Sequence, residues 1–100
     1  MSTYDSVSTK RLYSLAKLGI EALKTTKAGA STYRAQLIPL TTSYKAYVKG
    51  TLHSGRFRQR VRMTINYCAY SVKKEWEFSQ EVPAKVSAFL GNWQRSVDKR

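Results

Sequence analysis

Residues 56–78 read RFRQRVRMTINYCAYSVKKEWEF, and the fold turns on the period assigned to them. With a period of two, Phe57, Gln59, Val61, Met63, Ile65 and Tyr67 share one side of a strand. Arg56, Arg58, Arg60, Arg62, Thr64 and Asn66 then share the other. A further run, residues 70–78, alternates Tyr70, Val72, Lys74, Trp76 and Phe78 against Ser71, Lys73, Glu75 and Glu77. With a period of 3.6, Phe57, Val61, Ile65, Cys68, Val72 and Trp76 line up instead as one side of a helix. Val, Thr, Ile and Tyr are abundant here and suit a pleated, half-buried surface, so propensity decides for strands.

Upstream, residues 44–52 alternate in the same way. Tyr44, Ala46, Val48, Gly50 and Leu52 face one side, while Lys45, Tyr47, Lys49 and Thr51 face the other. His53, Ser54 and Gly55 supply a turn, giving an antiparallel sheet of about three strands. Residues 30–42 form a connection with at most one helical turn, stopped by Pro39.

Helical periodicity is clearer at the two ends. Over residues 8–27, Leu12, Leu15, Ala16, Gly19, Ile20 and Leu23 recur at helical spacing. Asp5, Ser6 and Ser8 are candidate N-caps, and Gly29 is the candidate stop. Near the C-terminus, Val82, Val86, Phe89, Leu90, Trp93 and Val97 trace an apolar face. Pro83 falls in that helix's first turn, and Lys99 and Arg100 complement its C-terminal end. The expected fold is therefore α+β, with an N-terminal helix, a small antiparallel sheet and a C-terminal helix in one domain of residues 1–100. This order of elements resembles that of double-stranded RNA binding domains in layout alone, since the last helix opens on Val82, Pro83 and Ala84 without a lysine cluster.

Charge gives the functional lead. The 100 residues carry 18 Lys plus Arg against 6 Asp plus Glu, a formal +12. No carboxylate lies between Ala22 and Lys74. That stretch holds eleven cations: Lys24, Lys27, Arg34, Lys45, Lys49, Arg56, Arg58, Arg60, Arg62, Lys73 and Lys74. Such asymmetry costs self-repulsion, which a polyanion relieves. On a strand the four arginines would form one row about 6.6 Å apart, with Lys45, Tyr47 and Lys49 beside them, and guanidinium groups bind phosphate oxygens bidentately. The expected function is non-enzymatic nucleic-acid binding to RNA or DNA, with phosphate contacts from Arg56, Arg58, Arg60, Arg62, Lys45, Lys49, Lys73 and Lys74. Tyr47 and Tyr70 are the candidate stacking residues.

Two other classes fit the same features. One is a self-assembling viral coat or nucleocapsid subunit, with the apolar helix faces joining copies; a basic hairpin followed by a helix loosely resembles the coats of small RNA phages. The other is a basic adaptor or inhibitor that binds an acidic protein. Catalysis lacks a constellation, because His53 is the only histidine and lies in a turn. One Cys and one His cannot make a zinc site, and no glycine-rich phosphate loop is present, so neither metal nor cofactor is expected. Glu75 and Glu77 are expected to pair with Lys73 and Lys74. No apolar run reaches the roughly 18 to 20 residues of a membrane span, and the N-terminus has no signal-peptide pattern. A cytoplasmic location is expected, or a virion for a coat protein.

Overall fold

A computed structural model describes residues 4 and 6–97, and the sequence expectations at Asp5, Lys99 and Arg100 lie outside them. The chain forms four helices: α1 (Thr9–Leu23), α2 (Gly29–Lys49), α3 (Ser54–Trp76) and α4 (Ala84–Val97). There is no strand among the described residues, so the expected sheet and the α+β class are overturned.

The burial of α3 shows why. Phe57, Val61, Ile65, Cys68 and Val72 are fully buried and Trp76 half-buried, the alignment of a 3.6-residue period. The strand arrangement would have buried Met63 and Tyr67 as well, yet these are 64% and 40% exposed. Helix penalties for Thr, Val and Ile are only a few tenths of a kcal/mol each relative to good helix formers, and burial of a continuous apolar line outweighs them.

Residues 30–52 are also corrected. Tyr33, Leu37, Leu40, Tyr44 and Tyr47, spaced by four and three, turn the inner side of α2 towards the core. Pro39 sits inside this helix. Its missing N–H would have bonded the carbonyl of Ala35, and both residues are exposed, so the gap falls on the wet side. Gly50, expected within a strand, instead stops α2 with φ of 86°, a left-handed conformation that favours glycine. His53 is not merely a turn residue: it caps α3, its Nδ1 accepting from the Gly55 amide at 3.1 Å.

The end helices stand close to expectation. Ser8 caps α1, its Oγ accepting from the Arg11 amide at 3.2 Å. The helix ends at Leu23, short of residue 27, because the Thr25 and Thr26 hydroxyls donate back to the carbonyls of Ala22 and Leu23. Gly29 opens α2 instead of stopping α1, and a Cβ there would lie 2.7 Å from the Lys24 carbonyl oxygen. Pro83 precedes α4, its carbonyl accepting from the Val86 and Ser87 amides. Val86 and Phe89 are buried within the chain.

Helices α1 and α3 form the central pair. Each also packs against α2 on one flank and α4 on the other, while α2 and α4 do not meet. The Cα extents of 43 × 33 × 18 Å describe a slab about two helices thick. Even the most buried helix therefore keeps one side in solvent, and this positions the site.

Cys68 lies in the centre of the slab, where burial pushes its thiol up to about 12. The neutral thiol then persists at all pH values below that, so the folded protein should not react with a thiol-specific reagent at pH 8. Denaturant should release one reactive thiol per chain, and stoichiometric labelling of the native protein would contradict this packing.

Candidate nucleic-acid interface

On α3 the arginines no longer form a row. Steps of two residues turn about 200° around a helix, so the four divide between the two flanks of the buried line. Arg58 turns inward to the chain's start: its Nη1 donates to Thr9 Oγ1 at 2.9 Å, and its Nη2 to the carbonyls of Tyr4 and Val7 at 3.1 and 2.7 Å. Arg62 is half-buried on the same flank, close enough for its charge to act on the Tyr4 hydroxyl. That hydroxyl is buried, which raises its pKa, while a bond from Trp93 and the Arg62 charge partly oppose the rise. It donates to Asn66 Oδ1 at 2.8 Å and accepts from Trp93 Nε1 at 3.0 Å. This network fastens Tyr4 to α3 and α4.

Arg58 therefore has a structural role. Arg58→Gln should cost about 2 to 3 kcal/mol, since it breaks charge-assisted bonds to partly buried acceptors. Urea denaturation measures this, and an unchanged midpoint would show that the clip contributes nothing.

Arg56 and Arg60 fall on the opposite flank and are exposed. Arg60 also donates to the buried Ser43 Oγ at 3.1 Å, which joins α3 to α2. Following them at steps of four and three come Met63, Tyr67, Tyr70 and Lys74, all exposed. One stripe of α3 thus reads Arg, Arg, Met, Tyr, Tyr, Lys over about 27 Å, with no carboxylate in it. Lys73 lies beside the stripe's C-terminal end, where its Nζ sits 5.3 Å from the Trp93 ring centroid; Lys74 Nζ sits 5.7 Å from that of Tyr70.

Lys73 and Lys74 do not form the expected ion pairs with Glu75 and Glu77. Among the described residues the ion pairs are those of Glu21 with Lys24 and Lys85. Lys45 and Lys49 are exposed on α2. Tyr47 is no platform for a ligand, because it stacks on Phe57 at 4.6 Å inside the chain. A strand places Met63 and Tyr67 on the side of Phe57, whereas the helix turns both outward. Their shared spacing with Arg56, Arg60, Tyr70 and Lys74 was the available signal.

Three shallow recesses border the stripe. One lies towards Pro39 and Leu40 of α2, one beside Lys27 and Thr32, and one against Trp93 of α4, with Glu77 at its edge. No group of three or more potential metal ligands occurs among the described residues, and no helix is long and apolar enough to cross a membrane. No family model, curated protein or solved structure matches the chain.

Proposed function

We propose that the chain is a non-enzymatic nucleic-acid-binding protein that holds its ligand along the outer face of α3. The supporting observation is the exposed stripe Arg56, Arg60, Met63, Tyr67, Tyr70 and Lys74, with Lys73 adjoining and no carboxylate along it. Cations without carboxylate partners keep their full attraction for phosphate, and association releases the counterions condensed on the ligand. Lys45 and Lys49 add to the field from α2, whereas Arg58 is held by Thr9, Tyr4 and Val7, Tyr47 stacks on Phe57, and Arg62 lies half-buried near Tyr4.

The coat-subunit and adaptor alternatives gain no specific observation. Of the apolar face traced on α4, Val86 and Phe89 lie inside the chain, while Leu90, Trp93 and Val97 are half-buried and Val82 is exposed.

Fluorescence anisotropy with labelled RNA and DNA oligonucleotides, at about 50 and 200 mM salt, tests the proposal. The affinity should fall by roughly 0.7 to 0.9 log units per phosphate contact for each tenfold rise in salt. Absence of binding, or binding indifferent to salt, would contradict it. Polyglutamate competing as well as an oligonucleotide of equal charge would favour an acidic protein as the partner.

A further inference from the structure

We infer that the ligand of the α3 stripe is single-stranded nucleic acid, held by base stacking on Tyr67 and Tyr70 between two cationic ends; the inference rests on the function proposed above. Arg56 and Arg60 occupy one end of the stripe, and Lys73 and Lys74 the other, where Glu75 and Glu77 line the adjoining recesses without an ion pair to either lysine. The middle is aromatic and apolar: Tyr70 is 65% exposed and Tyr67 40%. A duplex hides the faces of its bases against one another and presents only their edges in the grooves, which are read by hydrogen bonds. The middle of this stripe offers little for that purpose. The adjacent amide, Asn66, already accepts from the Tyr4 hydroxyl through its Oδ1. Two exposed rings three residues apart instead match unstacked bases, whose π-faces are free.

The surroundings agree. Tyr70 borders the recess against Lys27 and the one against Trp93, while Tyr67 borders the recess towards Pro39, so a base tipped from the strand has a hollow on either side. Lys74 Nζ lies over one face of the Tyr70 ring, 5.7 Å from its centroid, so a base stacks on the other face or displaces the ammonium towards the nucleotide's phosphate. At about 27 Å the stripe accommodates roughly four extended nucleotides. A second copy of the chain is a poor occupant. An antiparallel copy would set Arg56 and Arg60 against Lys73 and Lys74, with only Glu75 and Glu77 at the recess edges to compensate.

The test compares one RNA sequence as a single strand and as a duplex, titrated against the parent, Tyr67→Leu/Tyr70→Leu and Tyr67→Phe/Tyr70→Phe. The parent should prefer the single strand at least tenfold. The Leu pair should lose about 30-fold or more on the single strand, keep its duplex affinity and keep its salt slope, while the Phe pair should bind like the parent. Inorganic polyphosphate, which has charge but no bases, should compete at least tenfold less well than an oligonucleotide of equal charge, a measurement that needs no variant to fold. Equal, salt-dependent binding of both forms by the parent would overturn the single-strand assignment and leave nucleic-acid binding standing. So would full single-strand affinity in the Leu pair, or polyphosphate competing as an equal. No binding of either form would overturn both.

Discussion

Phe57→Ala should remove about 3 to 5 kcal/mol of stability, a large fraction of the roughly 5 to 15 kcal/mol expected for a domain of this size. Phe57 is fully buried where α1, α2 and α3 meet. Tyr47 stacks on it at 4.6 Å with the rings 8° from parallel. Tyr13 and Tyr44 lie 6.0 and 6.1 Å away and stack on each other at 4.2 Å. Truncation leaves a cavity under this cluster and removes a main surface on which α2 rests, because Leu40 and Ser43 are the buried side chains α2 contributes and the half-buried Tyr47 seats on Phe57 itself. Thermal unfolding should shift by roughly 15 to 30 °C, with loss of near-ultraviolet circular dichroism from the tyrosines. A cost below about 1 kcal/mol would mean that α2 is not seated on Phe57.

Replacing Arg56, Lys73 and Lys74 together with Gln should weaken nucleic-acid binding by about two orders of magnitude near 0.1 M salt. The magnitude follows from counterion release. Each lost contact to a single strand removes about 0.7 from the salt slope, and therefore about 0.7 log units of affinity one decade below 1 M. The three residues are exposed and carry no carboxylate partner among the described residues, so stability should move by no more than about 0.5 kcal/mol. Arg60 is left in place because its bond to Ser43 would mix a structural loss with the electrostatic one. A salt slope unchanged in the triple variant would place the phosphate contacts elsewhere.

How much of this was legible in the sequence depended on whether two periods could be told apart. Along α3, Phe57, Val61 and Ile65 are separated by steps of four, which satisfy a helix and a strand equally well. The discriminating step is the odd one from Ile65 to Cys68, which keeps to one side of a helix but changes side on a strand. The arginine alternation reinforced the wrong period, because Arg58 and Arg62 border the buried line on one flank and Arg56 and Arg60 on the other. In α2 the pattern Tyr33, Leu37, Leu40, Tyr44, Tyr47 is readable, but Pro39 usually breaks a helix through its ring clash and lost hydrogen bond, and here α2 tolerates both on its exposed side. Helices α1 and α4 were plain because their apolar residues fall on one face without a competing alternation.

The candidate site was legible in composition but not in arrangement. The carboxylate-free stretch pointed to α2 and α3 as the basic region. Which cations face solvent follows from the helix, and a strand reading could not separate Arg56 and Arg60 from Arg58, which contacts Thr9, Tyr4 and Val7.

The most direct measurement is a two-dimensional NMR titration of the isotopically labelled protein with a short single-stranded oligonucleotide. The largest shifts should fall along α3 at Arg56, Arg60, Met63, Tyr67, Tyr70, Lys73 and Lys74, and at the Trp93 indole that borders the Lys73 end. Arg58, and the exposed lysines of α1 at Lys10 and Lys17, should remain nearly still. Shifts centred on α1, or spread evenly over every exposed cation, would contradict an interface built on the outer face of α3.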